Sequence, residues 1–407
     1  MTEEFRYIPA LESSSLLLVI PFFNERLAIP SILASLEVSS RSLGENPYIL
    51  GVNHRSSDGS ELIFGEQGSG FAKVGIIREE ADLKSVGIPR QTGIRTAVEM
   101  VSKADHKVVI GSIDADSRVS SQFFAEAERF RLSTDDFLVF PTRNDQQYFL
   151  DCVDAQDDAR TRASAIKTLV GIDWLKYQLR DVLLQAGAVE TRGSGGYFFT
   201  LAGYEKAVGH KPVYAADGTI VTGESNAVGI RAKRNGANAM ISSYVNTASP
   251  RRILKAIGSS TDGYSISSAG KTYNTVQADN NFPTLSVEQW QSQYEAMLYG
   301  AIRTFVIKAL AYEVVPNVIE RITIPTMKRL LQLSEKLYQD TGFVGDERDA
   351  IGSRTYIKIF EQAWEEIGET NQKTTLAFIT GKLPTESGLL EWASDPSELI
   401  SADKLFS

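Results

Sequence analysis

The first 250 residues alternate short apolar runs with stretches whose apolar residues recur every three or four positions. The short runs are typical of strands buried on both faces, and the longer spacing is typical of helices that pack against a sheet. The predicted strands are 16–23, 48–53, 73–77, 107–113, 137–140, the second half of 193–200, and 239–244. The predicted helices begin near residues 29, 60, 87, 121, 151, 201 and 222. This alternation predicts an α/β fold with a Rossmann-like, mostly parallel central sheet flanked by helices.

The pattern changes after residue 250. Small and polar residues dominate 258–281, and helical spacing returns from residue 286. The predicted C-terminal helices are 287–314, 325–338 and 353–367. We therefore predict three parts, which are an α/β domain over 1–250, a loop or linker over 251–285, and a helical C-terminal region over 286–407.

Polar side chains collect where the predicted strands end. Asn24 and Glu25 follow the first strand, 53–58 follow the second, and Asp114 and Asp116 follow the fourth. In open α/β sheets, ligands bind in a crevice beyond the carboxyl ends of the strands. The clustering therefore predicts a ligand site at this edge of the sheet.

The two carboxylates at the end of the fourth strand are the first candidates for chemistry. In an extended chain, positions 114 and 116 point to the same side, so Asp114 and Asp116 can face one cation. Hard divalent cations take oxygen ligands, often one or two carboxylates together with phosphate oxygens and water. A solvated turn is the alternative, because aspartate favours turns. The polar clusters at the neighbouring strand ends favour the cation site.

Composition narrows the classes of function. The 407 residues are 43% hydrophobic and 23% charged, which are ordinary values for a globular protein. A net charge of −9 argues against a nucleic-acid partner bound through its phosphates. The single cysteine, Cys152, excludes an intrachain disulfide and a cysteine-based zinc site.

Neither targeting nor membrane insertion is indicated by the sequence. Residues 1–6 lack the basic start of a signal peptide. No window reaches the roughly 18 uncharged apolar residues of a membrane span. The most apolar candidate, 301–315, carries Arg303, Lys308 and Glu313 and is predicted to be a packed amphipathic helix. We expect a soluble, cytoplasmic protein with no transmembrane segment.

Six sequence segments occur in the same order as the motifs of a known protein family. They are 19–25 (VIPFFNE), 53–60 (NHRSSDGS), 87–94 (GIPRQTGI), 114–123 (DADSRVSSQF), 195–209 (GGYFFTLAGYEKAVG) and 223–231 (GESNAVGIR). Together they resemble glycosyltransferase family 2, whose members are inverting enzymes of the GT-A fold that use nucleotide-diphosphate sugars. The resemblance covers about residues 15 to 250.

The resemblance implies a role for each matching residue. It assigns binding of the nucleotide-sugar donor to Pro21, Asn24, Glu25, Asn53, Asp58, Arg90 and Asp114. It makes Asp116 the direct ligand of a Mn²⁺ or Mg²⁺ ion and places Asp114 in the same metal site. Such a cation neutralises the diphosphate and stabilises the leaving group. The partners are then a nucleotide-diphosphate sugar and a hydroxyl acceptor, while the sugar, the acceptor and the oligomeric state remain open.

The chain departs from the family pattern in two ways. The loop that reads the base usually carries two acidic residues, where this chain has Asn53 and His54; an asparagine amide can still bind a base edge. The family's catalytic base is an aspartate at the position of Ser225. Glu224, which adjoins it, is our first candidate for the base, and Asp217 is the second. Glu224 has an alternative role as an acid that complements the helix dipole.

Three functions remain to be compared. The first is a glycosyltransferase that moves a sugar to an unidentified hydroxyl. The second is a sugar-nucleotide-binding protein with weak or no transfer, which the serine at position 225 suggests. The third is a nucleotidyltransferase, and the absence of a G-x-G-T-R-x-x-P type turn argues against it.

Two further features are ambiguous in the sequence. His210 follows a helix-ending glycine, which is more typical of a loop residue than of a third metal ligand. The glycine cluster 193–196 fits a plain turn better than a phosphate-binding loop.

Overall fold

The computed structural model describes residues 4–7, 14–44, 46–68, 71, 74–78, 87–104, 107–211, 213–214, 220–221, 224–251, 253–254, 257, 284–343, 346–349 and 351–394. Contacts within the chain define two compact units. Unit 1 comprises Met1–Thr142 and Val189–Ala248, and unit 2 comprises Arg143–Ala188 and Ser249–Ser407.

The strands are numbered in chain order. They are β1 (Glu4–Tyr7), β2 (Leu16–Phe22), β3 (Tyr48–Asn53), β4 (Val74–Arg78), β5 (Val109–Ser112), β6 (Ser117–Arg118), β7 (Phe137–Val139), β8 (Thr142–Asn144), β9 (Tyr197–Phe199), β10 (Val213–Tyr214), β11 (Ile220–Val221), β12 (Ala239–Ile241) and β13 (Asn246–Ala248).

The helices are numbered in the same way. They are α1 (Ile29–Ser40), α2 (Ser60–Gln67), α3 (Gly87–Val101), α4 (Phe123–Arg131), α5 (Gln146–Asp154), α6 (Ala159–Ile166), α7 (Ile172–Gln185), α8 (Leu201–Lys206), α9 (Glu224–Arg234), α10 (Val287–Ala311), α11 (Val315–Arg321), α12 (Pro325–Asp340), α13 (Arg354–Ile367), α14 (Glu369–Lys382) and α15 (Glu386–Ser394). A π-helical turn, Lys167–Gly171, joins α6 to α7, and a short 3₁₀ helix spans Asp346–Asp349.

An eight-stranded sheet forms the centre of unit 1. Its strand order is β1-β4-β3-β2-β5-β9-β7-β12. β4, β3, β2 and β5 are parallel neighbours, and so are β7 and β12. β1 and β9 are antiparallel to the strands beside them. The predicted α/β fold, with a mostly parallel sheet flanked by helices and a helical C-terminal region, is confirmed.

β2 shows why the apolar runs are continuous, because helices cover both faces of this strand. Leu16, Leu18, Ile20 and Phe22 belong to a core cluster that also contains apolar residues of α1 and α4. On the other face, Gly93 of α3 lies so close to the sheet that a β-carbon there would be 2.5 Å from Val19. A strand covered on both faces needs apolar side chains at every position.

Unit 2 is helical. α10 is its longest helix and begins with a capping box in which Ser286 Oγ accepts the backbone N–H of Gln289, and the Gln289 side chain accepts that of Ser286. Trp290 of α10 is buried and donates to Gln156 Oε1 at 3.0 Å. In the described part of the chain, no helix combines the length and the apolar character needed to cross a bilayer.

The two units differ from the predicted division at one segment. Residues 143–188, which we assigned to the first domain, pack with the C-terminal helices. The second crossing between the units, after Ala248, is close to the predicted boundary at 250. Most of the predicted linker, 251–285, lies outside the described residues.

Candidate functional site

The sheet of unit 1 has a topological switch point beside β2. From β2 the chain proceeds to β3 and then β4 on one side, and it returns to β5 on the other side. The connections that leave the carboxyl ends of β2 and β5 therefore lead away from each other, one towards β3 and the other towards β7. Ligands of open α/β sheets bind at such a point.

The loops that follow β2 and β3 are tied together by hydrogen bonds. This brings three predicted site residues, Asn24, Glu25 and Asp58, into one structure. Asn24 has a positive φ of 51°, a conformation that asparagine tolerates better than most residues. The bonds run from Asn24 N–H to Ser56 Oγ (3.0 Å), from Ser57 N–H to Asn24 Oδ1 (2.9 Å), from Glu25 N–H to Ser60 Oγ (2.8 Å) and from Arg26 N–H to Asp58 Oδ2 (3.0 Å).

The Asp58 carboxylate supports this connection electrostatically. Its partial burial would raise its pKa, but hydrogen bonds from the Ser60 hydroxyl and from the backbone N–H groups of Arg26 and Ser60 outweigh burial and lower the pKa. Asp58 is therefore ionised at neutral pH and holds the start of α2 against the end of β2.

Asn53 and Pro21, which the resemblance assigns to donor binding, also make contacts within the protein itself. The Asn53 amide is buried; its Nδ2 donates to Glu61 Oε2 at 2.6 Å and its Oδ1 accepts the N–H of Ser56 at 3.0 Å. One end of the amide thus binds the loop after β3 and the other end binds α2. Pro21 lies inside β2, opposite Val52 in the β2–β3 register. The roles of both residues in nucleotide binding stay predictions.

Asp114 and Asp116 lie in a turn after β5. The prediction that these two positions belong to an extended strand is therefore wrong. β5 ends at Ser112, and the N–H of Ser117 donates to the Asp114 carbonyl at 3.2 Å across the turn. Both aspartate side chains are partly buried. The turn still places two carboxylates, one residue apart, at the carboxyl end of the strand that borders the switch point.

Arg90 fixes the orientation of Asp114. Its side chain is only 1% exposed, and its Nη2 forms an ion pair with Asp114 Oδ1. The other terminal nitrogen, Nη1, donates to Ser112 Oγ at 2.6 Å. A charge-assisted bond from a buried guanidinium holds a carboxylate more firmly than a solvated pair does. The structure thus brings together two of the predicted donor-binding residues, Arg90 and Asp114.

The glycine cluster supports the Asp114–Ser117 turn from the other side. Three successive carbonyls of the cluster accept hydrogen bonds. Gly193 O accepts from the Asp114 N–H at 2.8 Å, and Ser194 O accepts from Ser117 Oγ at 2.9 Å. Gly195 O accepts from Asn246 Nδ2 of β13 at 2.6 Å. The N–H groups of Gly195 and Gly196 bond to the Arg192 carbonyl within the same turn. The cluster therefore acts as a supporting turn, and these two amides form hydrogen bonds within that turn.

A divalent cation fits the chemistry of this site under one condition. In the described ranges, no three His, Cys, Asp or Glu side chains are close enough to hold a metal ion by themselves. A closed site made entirely of protein ligands does not match. A Mg²⁺- or Mn²⁺-type site, in which one or two carboxylates share the cation with substrate phosphates and water, does match Asp114 and Asp116.

The region predicted to supply the base is described only in part. Ser225 is buried near the start of α9, and its carbonyl accepts the Thr191 hydroxyl. That hydroxyl also accepts the N–H of Gly229 at 3.0 Å, so Thr191 fastens the first turns of α9. Glu224 is the first residue of α9, and its side chain lies outside the described part, as does the whole of Asp217.

Sequence reasoning misses several residues that shape the site. Ser112 positions Arg90, Gly193 leaves space beside the Arg90–Asp114 pair, and Asn246 connects two turns. A serine inside a strand and an asparagine near a strand end carry no distinguishing pattern. The glycine cluster was a usable signal, although it indicated only a turn.

His210 is the other residue whose surroundings are unlike those expected of a surface loop. Its side chain is 3% exposed. Burial, and then the positive charges of Arg90 and Arg231, hold its pKa well below the usual range, so the ring is neutral at pH 7.

No protein-family model and no curated protein matches this chain. Among solved structures, S. aureus TarS 1–349 in complex with UDP is 12% identical over 86% of this chain and 90% of that chain, with a TM-score of 0.39. A mannosyltransferase from Pyrobaculum calidifontis in complex with GDP-mannose and Mn²⁺ is 11% identical over 96% and 91% of the two chains (TM-score 0.40). Glucosyl-3-phosphoglycerate synthase from Mycobacterium tuberculosis is 15% identical over 60% and 75% (TM-score 0.32). Such identities and scores assign neither a family nor an activity to this chain.

Proposed function

We propose that this protein is a glycosyltransferase of the GT-A, family 2 type, which moves a sugar from a nucleotide-diphosphate sugar to a hydroxyl acceptor. One observation carries the proposal. A buried arginine holds Asp114 of an Asp-Ala-Asp turn at the switch point of a mostly parallel sheet. This is where an α/β protein binds a nucleotide, and the turn supplies the carboxylates that a diphosphate-bound cation needs.

The nucleoside end of the donor is assigned to the two connected loops. Asn24, Glu25 and Asp58 lie beyond β2 and β3, and hydrogen bonds between these loops hold them in place before any ligand arrives. A preformed site loses less conformational entropy on binding, and this improves affinity. Pro21 and Asn53 contribute to the walls of the same region.

The diphosphate end is assigned to the Asp114–Asp116 turn. Asp116 is the direct ligand of Mn²⁺ or Mg²⁺, and Asp114 is its second carboxylate, oriented by Arg90. When bound, the cation neutralises the diphosphate and stabilises the charge that develops on the leaving group. Arg90 itself is committed to Ser112 and Asp114, so it organises the site from behind.

Transfer requires a base for the acceptor. The base takes the proton of the acceptor hydroxyl while that oxygen bonds to the anomeric carbon and the carbon–oxygen bond to the diphosphate breaks. Attack from the face opposite the leaving group inverts the sugar. Glu224 is the proposed base, because it adjoins Ser225 at the start of α9, and Asp217 is the alternative.

The assignment of the base has a direct test. We expect Glu224→Gln to lower kcat by about 100-fold or more, the usual contribution of a general base, without changing donor affinity. Asp217→Asn is the matched variant. If it alone abolishes turnover, Asp217 is the base, and if both variants keep wild-type turnover, neither residue is.

The donor class is tested by thermal unfolding with UDP-, GDP- and TDP-sugars, each with Mn²⁺ or with EDTA. A ligand that binds the folded state raises Tm in proportion to its occupancy. We expect at least one sugar nucleotide to raise Tm with Mn²⁺ and to do so less in EDTA. The absence of a shift with every nucleotide would contradict the proposal.

Ser225 supports a second candidate function, a sugar-nucleotide-binding protein that does not transfer the sugar. A serine hydroxyl does not act as a general base at neutral pH without a neighbouring base, and this one is buried. Metal-dependent donor binding without turnover or donor hydrolysis, across a panel of hydroxyl acceptors, would favour this function over transfer.

A further inference from the structure

Helix α1 is bonded at its N-terminal end to the loop after β2, which carries residues assigned to the nucleoside. The N–H groups of Ala28 and Ile29 both donate to the Glu25 carbonyl at 3.0 Å. The N–H of Glu25 in turn donates to Ser60 Oγ, beyond β3, at 2.8 Å. The start of α1 is therefore fixed to both of the loops that form the proposed nucleoside region.

Three serines of α1 bind the segment that follows Asp116. Ser31, Ser35 and Ser39 are spaced four residues apart, so their side chains form one row along the helix. The hydroxyl oxygen of each serine accepts a hydrogen bond, from Arg118 Nε to Ser31 (2.7 Å), from the Val119 N–H to Ser35 (3.2 Å) and from the Phe124 N–H to Ser39 (2.9 Å). The row therefore holds the chain from 118 to 124 against α1.

The Ser39 hydroxyl takes the place of a helix cap. Phe124 is the second residue of α4, and the first N–H groups of a helix have no partner within it. In the described part of the chain, the N-cap residue Gln122 makes no side-chain cap bond. Ser39, which is 0% exposed, accepts one of these N–H groups instead. The contact between α1 and this segment is thus part of how α4 begins.

These bonds connect two regions that the central sheet does not connect directly. β2 and β5 are paired as far as Val19 and Ser112, which fixes the strands themselves. Glu25 and Asp116 both lie beyond the ends of these strands. Beyond the strands, α1 is bonded to the Glu25 loop at one end and, through Ser31 and Ser35, to the residues that follow Asp116.

The ligand of the proposed function binds at both of these regions with one covalent molecule. Once one end of such a ligand is bound, the second end binds as an intramolecular group. The gain in affinity then depends on whether the protein holds the two regions at the separation that the ligand spans. Residues that fix this separation support the site even when they are not ligands themselves.

We infer that Ser31 and Ser35 are positioning residues, which hold the Asp116 turn at a fixed place relative to the Glu25 loop through α1. The inference rests on the proposed function, because that function places the nucleoside at one region and the cation at the other. The two hydroxyls act through Arg118 and the Val119 backbone, and so on the turn that contains Asp116.

Binding of a nucleoside diphosphate tests the inference. Calorimetry would measure UDP or GDP, whichever the wild type binds, with Mn²⁺ and in EDTA. The ratio of the two Kd values is the gain in affinity that the cation provides. We expect the double variant Ser31→Ala/Ser35→Ala to lower this gain about fivefold or more, the effect of about one ordinary hydrogen bond. Its affinity in EDTA should stay that of the wild type.

Two further variants separate positioning from a general loss of structure. Ser31→Thr/Ser35→Thr keeps both hydroxyls and should recover most of the cation-dependent gain. Ser40→Ala is the matched control, because the Ser40 hydroxyl donates to the Glu37 carbonyl within α1 at 2.9 Å. This control should bind as the wild type does. Alanine is also the better helix former, so neither alanine variant loses helix propensity.

Three outcomes would overturn the inference. An unchanged cation-dependent gain in the double alanine variant shows that the two hydroxyls do not position the turn. An equal loss with Mn²⁺ and in EDTA makes their effect a general one on the fold. An equal loss in Ser40→Ala has the same meaning. A wild type that binds no nucleotide at all contradicts the proposed function itself, so the two failures are distinguishable.

Hydrogen exchange provides a second test that needs no ligand. The single variant Ser35→Ala removes the acceptor of the Val119 N–H and leaves Ser31 in place. We expect amide exchange over 117–124 to become about fivefold faster than in the wild type and in Ser40→Ala. Unchanged exchange over this segment would show that α1 does not hold it, whatever the result of the binding experiment.

Discussion

Gly193 shows how closely the candidate site is packed at the level of single residues. A β-carbon built at this position would lie 2.5 Å from Arg90 Nη2 and 2.5 Å from Asp114 Oδ1. Contacts that short do not occur, so the ion pair would have to separate or the turn would have to move. The glycine therefore keeps the space in which Arg90 orients Asp114.

We expect Gly193→Ala to weaken metal-dependent binding of a nucleoside diphosphate about tenfold or more, equivalent to ~1.4 kcal/mol, because Asp114 loses its orientation. Calorimetry with Mn²⁺ measures the effect. Gly300→Ala is the matched control, because no atom lies within 4 Å of a β-carbon there. The control should bind as the wild type does and gain up to about 1 kcal/mol in stability within α10. Equal binding by both variants would contradict the role of Gly193.

The sequence predicts residues at the strand ends better than it predicts what those residues contact. Asn24, Asp58, Arg90 and Asp114 all lie at the predicted edge of the sheet, because parallel strands place their carboxyl ends together. The sequence does not reveal that the Asn53 amide binds Ser56 in the loop at one end and Glu61 in α2 at the other. Such pairings depend on side chains that meet only after folding, and no local pattern records them.

At the scale of elements, α9 depends on a close approach to the segment that precedes the glycine cluster. A β-carbon at Gly229 would lie 1.9 Å from the Val189 carbonyl oxygen and 2.8 Å from Thr191 Oγ1. The absent side chain lets the helix backbone contact this segment directly. The N-terminal end of α9, with Glu224, is positioned by the same contact.

We expect Gly229→Ala to lower the free energy of unfolding by about 1–3 kcal/mol, the usual cost of overpacking, despite the better helix propensity of alanine. Urea denaturation measures the change. Gly65→Ala, in α2, is the control, because its nearest neighbour is a flexible Ile76 methyl group at 3.6 Å. If Gly229→Ala is as stable as this control, α9 does not depend on the close approach.

The elements predicted from the sequence are largely those observed, since β3 has the predicted bounds, α3 begins at the predicted residue and β2 differs by one residue. The direction of each strand in the sheet could not be predicted from the sequence pattern. β9 runs antiparallel between β5 and β7, and the chain reaches it only after 143–188, which belong to unit 2. An apolar run shows that a strand is buried but not which way it runs. The two- and three-residue strands β6 and β13 are too short to produce any pattern.

At the scale of the whole molecule, His210 connects pH with folding stability. Its pKa in the folded protein is well below 6.5, whereas in an unfolded chain it is about 6.5. Between these two values the unfolded state binds more protons than the folded state, so stability rises with pH and falls on acidification. The loss begins as the pH drops below about 6.5 and ends at the folded pKa.

We expect the wild type to lose stability between pH 7 and pH 5 with a slope that approaches about 1.4 kcal/mol per pH unit relative to His210→Phe. Urea denaturation at a series of pH values measures the difference. Burial raises the pKa of Asp173, which has the opposite effect, but Asp173 is present in both proteins and cancels. Parallel pH profiles for the two proteins would show that His210 is not buried in its neutral form.

The central claim is that Asp116 holds the cation through which a nucleotide diphosphate binds, and one titration tests it most directly. Calorimetry would measure UDP and GDP binding to the wild type, Asp116→Ala and the exposed control Asp154→Ala, with Mn²⁺ and in EDTA. We expect Mn²⁺ to strengthen binding to the wild type and the control, and to have no effect on Asp116→Ala. Mn²⁺-dependent binding that is the same in Asp116→Ala and the wild type would contradict the account.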